Sequence, residues 1–140
     1  MKSYYYLHTN GDLIFKPERV VKSEPGYFDS PFVRRVWLLD TEDRATCWIM
    51  LIEALSLGAN AVRIKELQDL WNMTNEDAQI FAQRVGLVLK IDGDQWCAYY
   101  DDFIDLQSSP AGFGNDCLHA MADLIKLHDG EVFNSRFECD

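Results

Sequence analysis

The chain has 140 residues, 48% of them apolar, and 23 acidic side chains against 13 Lys and Arg give a formal charge of -10. That apolar content fills a packed core and excludes wholesale disorder, and the length fits one domain or two subdomains sharing a core. The longest apolar run, Cys47 to Leu57, is interrupted by Glu53, and the opening MKSYYYLHTNGD lacks a signal-peptide core, so a cytoplasmic protein without a membrane span is expected.

The charge is unevenly placed. Residues 1–91 hold 12 acids against 11 bases, whereas 92–140 hold 11 acids against Lys126 and Arg136 alone. A field of that sign repels nucleic-acid phosphates and favours cationic partners. The cysteines at 47, 97, 117 and 139 are spaced by 50, 20 and 22 residues, which fits neither a zinc knuckle nor a redox pair, so free thiols are expected.

In chain order, Tyr4–Leu7 and Leu13–Phe15 flank Asn10-Gly11, a dipeptide suited to the type I′ turn of a β-hairpin. Pro17, Pro25 and Pro31 punctuate an irregular linker, and Val36–Leu39 reads as a third strand. A first helix is expected from Asp40 or Thr41, with Glu42 and Asp43 in its first turn, Trp48 and Ile52 on its apolar face, and Gly58 at its stop. A second helix follows Asn60 and buries Ile64, Leu67 and Trp71. A third is capped by Thr74, carries Ala78, Phe81, Ala82 and Val85 on its apolar face, and ends at Gly86. Leu87–Ile91 then pairs across Gly93-Asp94, or in a near register, with Trp96–Tyr100. Phe103–Leu106 leads to a turn over Pro110–Gly114, after which Asn115 or Asp116 caps a helix burying Leu118, Met121, Ala122 and Ile125. Gly130 closes that helix, and Glu131–Phe137 adds a terminal strand.

Few residues combine into chemistry. On one helix His119 and His128 point about 180° apart, and Cys117 and His119 about 200° apart, so neither pair forms a shared metal site or a nucleophile–base couple. Asp101, Asp102 and Asp105 are dense, but the glycine and distal glutamate of a calcium loop are missing. The glycines of Pro110–Gly114 precede a helix, yet no Lys, Ser or Thr follows and Asp116 places an acid where a phosphate would sit, so phosphate binding is rejected. Residues 60–86 with the following hairpin fit a winged helix in outline, needing Arg63, Lys65, Arg84 and Lys90 on one face. The expected recognition helix opens Asn75-Glu76-Asp77, which opposes DNA.

The order of features over 87–127 resembles the HicB-type antitoxin domain, a partial RNase H-like fold. Trp96 and Ala98 match its aromatic-containing second strand, Asp105-Leu106 its Asp-Leu segment, and Gly114 and Ala120 its helix entry. Asp116 stands at that family's usual Thr and His119 at its usual Glu, so the reciprocal carboxylate of the capping box is lost. The Tyr-rich start, the YFDSPFVR linker and the SPAGFG stretch are also similar to small proteins of bacterial genomes and their prophages, a likeness that implies no activity.

The expectation is a single-domain α+β protein in three subregions: a hairpin and linker over 1–40, a three-helix middle over 41–86, and a HicB-like hairpin–helix unit over 87–140. Functionally it is expected to be a non-enzymatic interaction or regulatory module of bacterial or phage origin. No cofactor, metal or catalytic set is expected, and a basic protein partner would meet an acidic face of Asp92, Asp94, Asp101, Asp102 and Asp105. The alternatives are a DNA mimic that inhibits a nucleic-acid-binding enzyme of the host, a winged-helix DNA-binding regulator, and a carboxylate- or metal-dependent enzyme.

Overall fold

The computed structural model describes residues 2–16, 32–101 and 111–126. The proline linker, Phe103–Leu106, Gly130 with the terminal strand, and Asp102, Asp105 and His128 all lie outside the described residues. The protein is α+β, with the element order β1 (Lys2–His8), β2 (Leu13–Lys16), β3 (Val33–Asp40), α1 (Arg44–Ser56), α2 (Ala61–Leu70), α3 (Asn75–Val85), β4 (Leu87–Asp92), β5 (Gln95–Tyr100), β6 (Ala111–Gly114) and α4 (Cys117–Lys126). It divides into two compact units, 1–72 and 73–140, so the helical middle is shared out: α1 and α2 belong to the first unit and α3 to the second. Among the described residues no helix is long and apolar enough to cross a membrane.

The first unit is built on an antiparallel sheet ordered β2-β1-β3, with α1 packed against β3. The expected hairpin is present, but its turn differs. Leu7 pairs with Leu13, the His8 amide donates to Asp12 and the Gly11 amide to His8. Only Gly11 of that turn takes a positive φ, +95°, while Asn10 does not, so the loop is a three-residue type I turn with a glycine bulge rather than type I′. Gly11 is held close because its carbonyl accepts from the Asn60 amide at 2.8 Å, and a β-carbon there would stand 3.0 Å from the Gly58 carbonyl.

Helix α1 starts later than expected. Asp43 is its cap and accepts from the Thr46 amide, so Glu42 and Asp43 precede the first turn instead of forming it. Asn60 caps α2 by accepting from Val62 and Arg63. Trp71, expected on the buried face of α2, lies one residue past the helix and is half-buried. Its ring meets Tyr5 edge-on at 5.7 Å, and the Arg44 guanidinium donates to the carbonyls of Trp71 and Asn72, satisfying acceptors that the helix end leaves open.

The second unit opens with α3, capped by Thr74 and closed by Gly86 in the left-handed conformation, both as the sequence predicts. Its antiparallel sheet is ordered β4-β5-β6, and α4 packs across β5 and β6. The stretch read from sequence as a turn over Pro110–Gly114 is, from Ala111 to Gly114, the third strand of this sheet. Ala98 pairs with Gly112 and Trp96 with Gly114. Opposed residues of an antiparallel pair share a face, so Leu89, Ala98 and Gly112 look toward α4 while Lys90, Cys97 and Phe113 look away.

Candidate interaction surface

The β4–β5 hairpin positions the acidic residues. Asp92 pairs with Gln95, leaving Gly93-Asp94 as a two-residue loop. Gly93 has a φ of +65° and Asp94 a negative one, the pattern of a type II′ turn, whose twist matches that of the flanking strands. Asp92 and Asp94 are therefore displayed at the tip, both exposed, beside Ile91, which is 68% exposed.

Asp101 does not join them. It follows β5 at the opposite end of the ribbon, where its amide donates to the Gly86 carbonyl at 2.9 Å. Six residues of strand separate it from the tip, about 20 Å at the rise of a β-strand. Of the five carboxylates expected on one acidic face, the three among the described residues divide between the tip, with Asp92 and Asp94, and the opposite end, with Asp101. A strand has two ends, and Asp92 and Asp101 occupy different ones.

On the sheet face turned from α4, the Lys90 ammonium sits 5.8 Å from the centre of the Tyr99 ring. Cys97, opposite Lys90, is half-buried, and burial pushes its thiol up, helped by Asp92 and opposed by Lys90. On β6, the end strand of this sheet among the described residues, the Phe113 amide donates to the Asp123 carboxylate of α4 at 3.0 Å. That bond occupies one of the strand's outward donors, which otherwise invite pairing with another chain.

The start of α4 is held by several side-chain hydrogen bonds. One oxygen of Asp116 accepts both from the His119 amide at 2.8 Å and from its imidazole Nδ1 at 2.7 Å. The Cys117 amide donates to the side-chain oxygen of Asn75, the first residue of α3. Asp116 is therefore the cap, and His119 returns to the cap's carboxylate instead of supplying one of its own. The hydrogen bond to Asp116 raises the His119 pKa, against a lowering by partial burial.

A cation near a helix N-terminus costs about 0.3–1 kcal/mol, less than the about 1.5–3 kcal/mol of a hydrogen bond to a charged group. The imidazole is 39% exposed, which narrows that margin by solvent screening.

Cys117 is buried, and burial, with Asp116 adding to it, pushes its thiol up to about 12. Such a thiol is not a nucleophile at neutral pH. The helix amides that an anion would use are occupied at Cys117 and His119 by side chains of the protein itself. Among the described residues no group of three His, Cys, Asp or Glu is gathered to hold a metal ion.

The four basic residues of the winged-helix reading are divided between the units: Arg63 and Lys65 lie on α2, Arg84 on α3 and Lys90 on β4. Lys65 pairs with Asp69 at 3.1 Å and Arg63 with Glu66 at 3.1 Å, so both cations are neutralised locally. The imidazole–carboxylate pair has a sequence signal in its spacing of three residues on one helix. The bonds from Asn75 and Asp123 have none, because they bridge separate elements.

No protein-family model, curated protein or solved structure matches the chain.

Proposed function

We propose that the protein is a non-enzymatic interaction module whose C-terminal unit engages a basic protein through the acidic tip of the β4–β5 hairpin. The observation that carries this reading is the tip itself: Asp92 and Asp94 are exposed on either side of Gly93, next to the exposed side chain of Ile91. Carboxylates at the rim of a contact steer and select a cationic partner, while an apolar side chain beside them supplies area to bury. The commitment of Asp116 to capping α4, and of the Cys117 thiol to the buried core, supports binding over catalysis. The succession β4, β5, β6 and α4, with Trp96 and Ala98 on β5 and Gly114 and Ala120 at the helix entry, supports likening this unit to HicB-type domains. That likeness favours a regulatory role with a protein partner, in a bacterial or phage setting and in the cytoplasm.

The acidic half also suits a mimic of DNA, but two carboxylates at a turn make a point of charge, whereas phosphates run in a track. A winged-helix DNA contact is further disfavoured by the pairing of Arg63 and Lys65 with acids on their own helix.

The test is affinity capture at low and moderate salt with the wild type, with D92K/D94K, and with Asp101→Lys. The double variant is expected to weaken capture of a basic partner by about tenfold at low salt, with the difference shrinking as salt screens it. An unchanged set of captured proteins, or a loss confined to Asp101→Lys, would overturn the assignment to the tip.

A further inference from the structure

The Asp116–His119 pair sits where three elements of the second unit meet. Asp116 fixes the first turn of α4 through the His119 amide, and its own carbonyl accepts from Ala120 at 3.1 Å. Asn75 ties the same turn to α3 through the Cys117 amide. Gly114 of β6 lies so close beneath that a β-carbon there would stand 2.5 Å from the His119 β-carbon and 2.6 Å from the Ala120 nitrogen. One carboxylate oxygen thus holds two donors of the same residue, one of them titratable.

We propose that protonation of His119 tightens the hold of Asp116 on the first turn of α4, making this junction of α3, β6 and α4 a pH-responsive element of the fold. In the neutral imidazole, Nδ1 carries the proton that Asp116 accepts, and the second proton enters at Nε2. Connectivity is kept in both states; what changes is that the bond gains a full charge on the donor.

Asp116 sets the sign, and the other titratable groups of the packed elements stand around it. On α4 itself, Asp123 stands one turn beyond His119, and Cys117 contributes a buried thiol. On α3, Glu76 and Asp77 follow Asn75, while Arg84 lies in the last turn, far along the helix. β6 brings no titratable side chain, and β5 brings Cys97, Tyr99 and Tyr100. The carboxylates among these favour the imidazolium. The positive end of the α4 dipole and partial burial oppose it, and the upward displacement of the His119 pKa comes from Asp116, first through its hydrogen bond and then through its charge.

The contribution of His119 is therefore full below its unfolded value of 6.5 and is lost as pH rises through the higher folded value. Amide hydrogen exchange between about pH 5.5 and 8, corrected for intrinsic rates, reads it directly. Protection of the His119 and Ala120 amides is expected to fall about two- to fivefold across that range in the wild type. Asp116→Asn keeps a capping side chain but removes the charge, and should flatten the change, as should His119→Gln. Asp123→Asn should leave most of it. A wild-type protection profile independent of pH, or a dependence that survives in Asp116→Asn, would overturn the proposal.

Discussion

A β-carbon on Gly112 would stand 2.2 Å from the backbone nitrogen of Leu124 and 2.3 Å from the Ala120 carbonyl oxygen. Helix α4 therefore lies with its backbone directly on strand β6, and glycine is required there by space rather than by φ. Gly112→Ala pushes backbone against backbone, which no rotamer change relieves. We expect a loss at or above the upper end of the about 1–3 kcal/mol typical of overpacking, with Gly114→Ala similar. Urea unfolding followed by far-UV circular dichroism measures it; a loss under about 0.5 kcal/mol, the range of a surface substitution, would mean that α4 moves freely off the strand.

Glu53 of α1 pairs with Arg35 of β3 at 2.9 Å, and its side chain is only 12% exposed. Burial pushes its pKa up from 4.5, against lowering by Arg35 and Trp37. With a raised folded value, the protonated state carries the stabilisation: it is fully present below 4.5 and lost as pH rises through the folded pKa. Relative to Glu53→Gln, the wild type should therefore gain stability on acidification toward 4.5. Because Arg35 is 48% exposed and stays hydrated alone, Glu53→Gln should cost little at neutral pH. Thermal unfolding of both proteins across that range checks the sign, and an advantage of the wild type that grows with rising pH would contradict it.

Three cysteines differ in access. Cys47 and Cys117 are buried and Cys97 is half-buried on the face turned from α4. In the native protein Cys97 should be alkylated before Cys47 and Cys117, yet more slowly than a free thiol, because burial and Asp92 raise its pKa. Peptide mass mapping after timed alkylation gives the order. Asp92→Asn should quicken the reaction at Cys97 and leave the other two unchanged; equal labelling of Cys117 would mean that α4 opens readily.

Where local chemistry decides, the sequence is readable. Thr74 and Gly86 bound α3 because a cap hydroxyl and a left-handed glycine act within one turn, and Asn60 starts α2 for the same reason. The β4–β5 hairpin about Gly93-Asp94 is readable too, although a near register stays open until the two-residue loop of the structure fixes every pair behind it. Trp71 escapes such reading: it continues the apolar spacing of α2, but Tyr5, on a strand far away in sequence, holds it beyond the helix end.

The candidate site divides in the same way. The sequence by itself determined the excess of acids after residue 91, the placing of Asp92 and Asp94 about a turn, and the start of α4 at Asn115 or Asp116, between which the structure selects Asp116. These follow from composition and from interactions spanning a few residues. Only the tertiary structure decided that Ala111–Gly114 is a strand, since a stretch with two glycines and an alanine around Phe113 has little strand preference until β5 offers hydrogen bonds and α4 needs the missing side chains. It also decided that Asp101 stands apart from the tip, and that Asn75 reaches across to α4. Separation along a strand and contact between elements are distances through space, and residue order alone does not contain them.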